Sequence, residues 1–203
     1  MQRGDVRDYY RKHASIYDAT RWTFLFGRER AVRRLGLKSE DHVLECGCGT
    51  GLNFGLMKRE LVSDRSMLVG LDFSEAMLKK AAGRIARFGW EGIELVEGAA
   101  DEVVLARTFD AILFCYSLTM IYDWERALDN AHTHLRRGGR LVVHDFDRFG
   151  RWGPVGGMIR WVQRSNHVDT SRPYVEKIDA LFGNVKVERW LGGYHFTAVA
   201  VKQ

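Results

Sequence analysis

After residue 40 the chain alternates between short unbroken apolar runs and longer stretches whose apolar residues recur every three or four positions. The first kind reads as buried strand and the second as amphipathic helix. Strands are expected at His42 to Cys46, Met67 to Leu71, Ile93 to Val96, Phe109 to Cys115 and Arg140 to His144. Between them, Leu52 to Leu61 reads as helix through Leu56 and Met57. Ser74 to Phe88 places Met77, Leu78, Ala81, Ala82, Ile85 and Phe88 on one stripe, with Ser74 as N-cap and Lys79, Lys80, Arg84 and Arg87 outside. Asp123 to Arg137 reads as a helix closed by Gly138-Gly139, with Arg136 and Arg137 near its last carbonyls. Alternation of this kind predicts an α/β fold with a mostly parallel sheet covered on both faces.

Past His144 the pattern changes. Residues 148–172 mix glycine, tryptophan and arginine without a strand, and they read as an insertion over a candidate site. Tyr174 to Phe182 returns to helix, and Lys186 to Leu191 and Tyr194 to Val201, joined by Gly192-Gly193, read as a terminal β-hairpin. A chain of 203 residues with two prolines and no internal repeat is expected to form one domain over 1–203. Neither a signal peptide nor an apolar run of about 18 residues is visible, which predicts a cytoplasmic protein.

Chemistry concentrates where the first strand meets its helix. In Glu45-Cys46-Gly47-Cys48-Gly49-Thr50-Gly51, three glycines in five positions let the backbone turn tightly and approach a ligand closely. About twenty residues on, Asp72 ends the second strand, where a carboxylate can accept both hydroxyls of a ribose. Those features admit a Rossmann domain for NAD or FAD as well as other nucleoside cofactors. Open α/β sheets bind ligands beyond the carboxyl ends of their strands. Here those ends are Glu45 to Gly51, Asp72-Phe73, Gly98 to Asp101, Cys115 to Ser117 and His144 to Asp147. Cys46, Cys48 and Cys115 suit a reducing compartment, and a C-x-C spacing with no second pair predicts no metal. The net charge of +5 favours an anionic partner without naming it.

In E-x-G-x-G-x-G the chain resembles the class I S-adenosylmethionine-dependent methyltransferases from about Arg28 to the C-terminus. The resemblance implies a single Rossmann-like domain with seven mostly parallel strands and an antiparallel terminal strand. It implies S-adenosylmethionine as cofactor, with Gly47, Gly49 and Gly51 along the methionine moiety and Glu45 steadying the loop or taking the ammonium through water. Asp72 would grip the ribose, and Phe73 and Met77 would pack on the adenine, Met77 fitting plain helix core equally well. Cys48, Asn53, Ala100, Cys115 and Tyr116 complete the implied cofactor set, with Asp101 replacing the acid that the family often has where Ala99 stands. Methyl transfer from a sulfonium is an in-line displacement, so alignment matters more than a base. Tyr116, with Ser117 beside it, and His144, with Asp145 beside it, are the candidates to line or assist the transfer. Tyr17, in a flap spanning 1–27, is the candidate to face the sulfonium.

The segment Ile16 to Arg28 resembles bacterial betaine-lipid N-methyltransferases, which convert diacylglycerylhomoserine to diacylglyceryl-trimethylhomoserine. Phosphatidylethanolamine N-methyltransferases are the nearest rival. A lipid acceptor fits Arg148, Arg151, Arg160 and Arg164 interleaved with Phe149, Trp152, Met158, Ile159, Trp161 and Val162, and Arg3, Arg7, Arg11 and Lys12 at the flap. Those residues predict peripheral binding to the inner face of an anionic membrane. They also fit a solvated basic face on a methyltransferase for a quinone or an amino acid, or on a silent S-adenosylmethionine-binding module. Nucleic acid is not expected, because Cys115-Tyr116-Ser117-Leu118 stands where the family's nucleic-acid enzymes show an N/D-P-P-Y/F/W-type motif. Oligomeric state is left open.

Overall fold

The computed structural model describes residues 25–150, 152–165 and 168–203. Helix α1 (Arg28–Leu35) leads into β1 (His42–Cys46), α2 (Phe54–Lys58), β2 (Met67–Asp72), α3 (Glu75–Phe88), β3 (Ile93–Glu97) and β4 (Phe109–Cys115). A 3₁₀ turn at Leu118–Met120 precedes α4 (Trp124–His134), β5 (Leu135–Phe146), α5 (Gly153–Ser165), α6 (Tyr174–Phe182), β6 (Lys186–Trp190) and β7 (His195–Val201). The strands form one seven-stranded sheet in the order β3-β2-β1-β4-β5-β7-β6. β1 pairs in parallel with β2 and β4, and β7 runs antiparallel to both β5 and β6. Two apolar clusters cover its faces, one built around α1, α2 and α3, the other around α4 and α6. The class of fold and its antiparallel terminal pair are those expected from the sequence.

Three local expectations change. Ser74 occupies the N-cap of α3 in extended conformation, yet its side chain makes no capping bond. Its backbone N–H donates instead to the Asp72 Oδ1 at 3.0 Å, which ties the start of α3 to the end of β2. Helix α4 stops at His134 rather than Arg137, because Leu135 is already extended and pairs with Phe109. The ladder then jumps from Phe109 opposite Leu135 to Ala111 opposite Arg140, so Arg136 to Gly139 form a bulge in which Gly138 takes φ +75°. The His132 carbonyl in the last turn of α4 and the Leu135 carbonyl just beyond it accept from the Lys202 ammonium, whereas Arg136 turns to the Asp110 carboxylate. Finally, residues 148–172 contain a helix, α5, that the glycine-rich pattern concealed. The flap expected over 1–27, with Tyr17, Arg3, Arg7, Arg11 and Lys12, lies outside the described residues apart from its last three, and so does Arg151.

Candidate active site

The glycine turn leaves β1 with all three glycines left-handed, at φ +73° for Gly47, +56° for Gly49 and +73° for Gly51. A Cβ at Gly47 would overlap the Ser117 side chain, and one at Gly51 would meet the Phe54 ring at 2.6 Å. At Gly49 a Cβ would meet nothing within 4 Å, so this glycine opens toward free space rather than toward protein. The loop is held from below: Gly47 N–H and Cys48 N–H both donate to the Leu71 carbonyl, and the Ser117 hydroxyl donates to the Cys46 carbonyl at 2.7 Å. Asp72 holds it from the side, its Oδ2 accepting from Gly49 N–H at 2.8 Å. A carboxylate has about four acceptor positions, so Asp72 keeps capacity for two hydroxyls while holding Gly49 and Ser74. Burial pushes its carboxyl up to about 6, against the pull of those two backbone donors, and at neutral pH it is mainly ionised.

Beneath the turn lies a cluster of open hydrogen-bonding valences. Glu45 is fully buried, and its Oε1 accepts from Asn53 Nδ2 at 2.6 Å. Among the described residues, its Oε2, the Asn53 Oδ1, and the Nε and Nη1 of Arg28 are buried without a partner. Burial drives the Glu45 carboxyl up to about 8, while the Asn53 bond and the nearby Arg28 guanidinium pull it down by less. Leaving such groups unpaired costs about 1–3 kcal/mol each, and such a cluster points to a missing polar ligand. A guanidinium, a carboxyl and an amide are the partners that the carboxylate and ammonium of an amino acid require. The residues therefore fit the methionine end of S-adenosylmethionine. Sequence reasoning selected Glu45, Asn53 and the glycines but missed Arg28, which reaches them from α1.

At the ends of β4 and β5 the chemistry is more committed. Tyr116 is buried at φ +54°, a conformation costly for a residue with a Cβ, and its hydroxyl donates to the Phe26 carbonyl at 2.6 Å. His144 Nε2 lies 2.8 Å from that same carbonyl and Nδ1 lies 2.8 Å from the Thr197 hydroxyl. A carbonyl only accepts, so the proton sits on Nε2 and Nδ1 accepts from Thr197. Burial lowers the His144 pKa to about 4, so the ring is neutral, and it packs edge-on against Tyr116. Both ring nitrogens are taken, which removes His144 as a proton acceptor in this arrangement. Tyr116 and His144 together clamp the turn before α1, and with it Arg28. Neighbouring Asp145 is equally committed, accepting from Thr119 N–H and its hydroxyl.

Of the remaining expected contacts, Phe73 is half-buried beside Asp72, and Ala100, Asp101 and Cys115 are buried near the same edge. Met77 and Cys48 are buried in the α1–α3 cluster, Met77 with no surface, so the core reading of Met77 stands over the adenine one. Burial pushes the thiols of Cys46, Cys48 and Cys115 well above their ordinary range, which keeps them neutral. Among the described residues no group of three or more His, Cys, Asp or Glu is placed to hold a metal. No helix in them is long and apolar enough to cross a membrane.

Fold, glycine turn and the acid that ends β2 together define a class I S-adenosylmethionine-dependent methyltransferase. Residues 43–139 match the family model of a methyltransferase domain, and the chain belongs to the methyltransferases that use this cofactor. A demethylmenaquinone methyltransferase of Thermobifida fusca is 30% identical over 174 residues, covering 79% of this chain and 72% of that protein. A chloroplastic 2-phytyl-1,4-beta-naphthoquinone methyltransferase of Arabidopsis thaliana is 31% identical over 151 residues, and the chain spans 58% of its length. Among solved structures, the phosphoethanolamine N-methyltransferase 2 of Haemonchus contortus in complex with S-adenosyl-L-methionine superposes with a TM-score of 0.77 at 16% identity, over 97% of this chain and 60% of that one. A possible histamine N-methyltransferase of Thermotoga maritima gives 0.72 at 19% identity, over 98% of this chain and all of that one. The two sequence relatives are quinone enzymes by name, so the betaine-lipid reading rests on the Ile16 to Arg28 resemblance alone.

Proposed function

We propose that this protein methylates the amine of a membrane lipid, diacylglycerylhomoserine, to give its trimethyl product. S-adenosylmethionine supplies an electrophilic methyl on a sulfonium. Arg28 and the Glu45–Asn53 pair hold its amino-acid end, Asp72 holds its ribose, and Phe73 packs on its adenine. Tyr116 and His144 are positioning residues that keep Arg28 and the turn before α1 in place, and the role proposed for Tyr17, outside the described residues, is contact with the sulfonium.

The structural observation that favours an amine acceptor is the committed state of Tyr116 and His144, whereas the choice of a betaine lipid comes from the Ile16 to Arg28 resemblance. Among the described residues, neither His144 nor Tyr116 is available as a base: one ring has both nitrogens taken, and the phenol donates to a carbonyl while burial pushes its pKa far up. An amine entering unprotonated needs no base: its lone pair forms the N–CH3 bond as the S–CH3 bond breaks to leave S-adenosylhomocysteine. The ammonium from each of the first two transfers sheds a proton to water, and the third transfer gives the quaternary product. Tyr194, half-buried and in ring contact with Phe146 and Phe149, offers a π-face to that ammonium.

A quinone acceptor is the second reading, favoured by the identity to demethylmenaquinone methyltransferases. There a ring carbon gives up its proton, so a base is required. The two separate in one assay of the purified protein with cofactor and either lipid in mixed micelles, read by S-adenosylhomocysteine formation. Turnover of diacylglycerylhomoserine at least tenfold above demethylmenaquinol is expected. The reverse ratio would replace the lipid-amine reading with the quinone one.

A further inference from the structure

Helix α5 is amphipathic in the opposite sense from a helix that covers a core. Its inward face carries Gly156, where a Cβ would lie 2.7 Å from the Phe149 carbonyl oxygen, and Ile159, packed on the cluster that contains Phe149. Its larger apolar side chains turn outward, with 52% exposure at Val155, 63% at Met158 and 71% at Trp161. At its start the Trp152 indole N–H donates to the Leu191 carbonyl at 2.7 Å, so the β6–β7 tip, where Leu191 is 58% exposed, adjoins this face. Single exposed apolar residues are ordinary, but a row along one helix continued by a neighbouring tip marks an interaction surface.

Charge selects the partner. Between Asp147 and Asp169 the sequence contains four arginines and no acid. The two flanking acids are already engaged, Asp147 with Arg189 and Asp169 with Arg172. Arg160 Nη1 donates to the Arg148 backbone carbonyl at 2.7 Å, which ties this cation of α5 to the segment that precedes the helix. We propose that the outward face of α5 and the β6–β7 tip dock on an anionic lipid bilayer. Val155, Met158, Trp161 and Leu191 enter the interfacial zone, and Arg148, Arg160 and Arg164 meet phosphate headgroups. Phe149 and Tyr194, behind α5, are in ring contact with each other and with Trp152, Tyr194 also contacts Phe146, and Phe146 touches Tyr116. The docked face is thus continuous with the transfer site. Its purpose rests on the lipid-acceptor reading, whereas its physical grounds do not.

The test is flotation of the full chain with vesicles of phosphatidylcholine alone or with anionic phosphatidylglycerol, at low and high salt. Wild type is expected to float with the anionic vesicles at low salt and to be partly released at high salt, as shortening of the Debye length weakens the arginines. Changing Arg148, Arg160 and Arg164 to Gln is expected to cut binding about a hundredfold. Changing Val155, Met158 and Trp161 to Ser is expected to remove the part that salt leaves. Both variants should keep wild-type S-adenosylhomocysteine affinity and turn over an acceptor dispersed in detergent at the wild-type rate, which separates docking from catalysis. The inference is overturned if wild type stays in the aqueous fraction, if the Ser variant floats as well as wild type, or if the apolar row proves to hold two copies together and the Ser variant is the monomer. Vesicle binding without any lipid-amine turnover would leave docking in place and remove the lipid-amine reading.

Discussion

Replacing Asp72 with Ala is expected to weaken S-adenosylhomocysteine binding by at least about a hundredfold. Two charge-assisted hydrogen bonds to ribose hydroxyls, at about 1.5–3 kcal/mol each, disappear together. The carboxylate has a second duty that adds to the loss: its oxygens hold Gly49 N–H at 2.8 Å and Ser74 N–H at 3.0 Å, so its removal also loosens the turn under the cofactor. Asp72→Asn keeps a neutral acceptor of the same shape and should fall between wild type and Asp72→Ala. Calorimetry at neutral pH reads all three. Affinity of the Ala variant within threefold of wild type would move the ribose elsewhere.

Gly47→Ala should be the most damaging small substitution in the turn. The left-handed backbone costs a Cβ-bearing residue roughly 1–2 kcal/mol, and overlap with the buried Ser117 side chain adds about 1–3 kcal/mol. For a chain of this size that sum lowers the melting temperature by about 4–20 °C. Gly49→Ala provides the contrast. It bears the backbone cost alone, because its Cβ would stand in open space, so its melting temperature should drop by less than half as much. The proposed placement puts the cofactor in that open space, so Gly49→Ala should lose S-adenosylhomocysteine binding more than it loses stability. Equal destabilisation by the two substitutions would contradict the packing account of Gly47.

Most of the sheet was legible because its central strands are unbroken apolar runs and its turns carry glycine, both local properties of the chain. Glu45, Gly47, Gly49 and Asp72 were legible for the same reason, lying at the ends of two such strands. The misread boundary at α4 has a long-range cause. Arg136 and Arg137 fit a helical period, but Arg136 is drawn to Asp110 on β4 and Lys202 takes the helix-terminal carbonyls. α5 escaped detection because Gly153, Gly156 and Gly157 read as loop, whereas Gly156 serves as a close-packing position against Phe149. Arg28 escaped because its place beside Glu45 depends on a clamp through the Phe26 carbonyl, a backbone atom that no side-chain pattern reveals. Tyr116 and His144 were singled out from the sequence as candidates to line or assist the transfer, and Tyr116 follows β4 directly while His144 lies near the C-terminal end of β5. Their hydrogen bonds point to a different task, holding the turn before α1 rather than moving a proton.

The account turns on the claim that Arg28, Glu45 and Asn53 receive the amino-acid end of the cofactor, and proton linkage tests it directly. Glu45 has an ordinary value of 4.5 and is raised to about 8 in the folded protein, so the ligand-free fold keeps its proton at neutral pH. The contribution of this group to folding stability is accordingly full below 4.5 and declines as pH rises from there through about 8. An ammonium placed against Glu45 favours the carboxylate, so binding must expel that proton, and affinity should rise with pH until the ligand's own amine, near 7.7–8.0, begins to deprotonate. Calorimetry of S-adenosylhomocysteine at roughly pH 6.5, in two buffers of different ionisation enthalpy, counts the protons released. Wild type is expected to release about one per ligand bound and Glu45→Gln none. Binding without proton release in wild type, or the same release in both proteins, would contradict the claim.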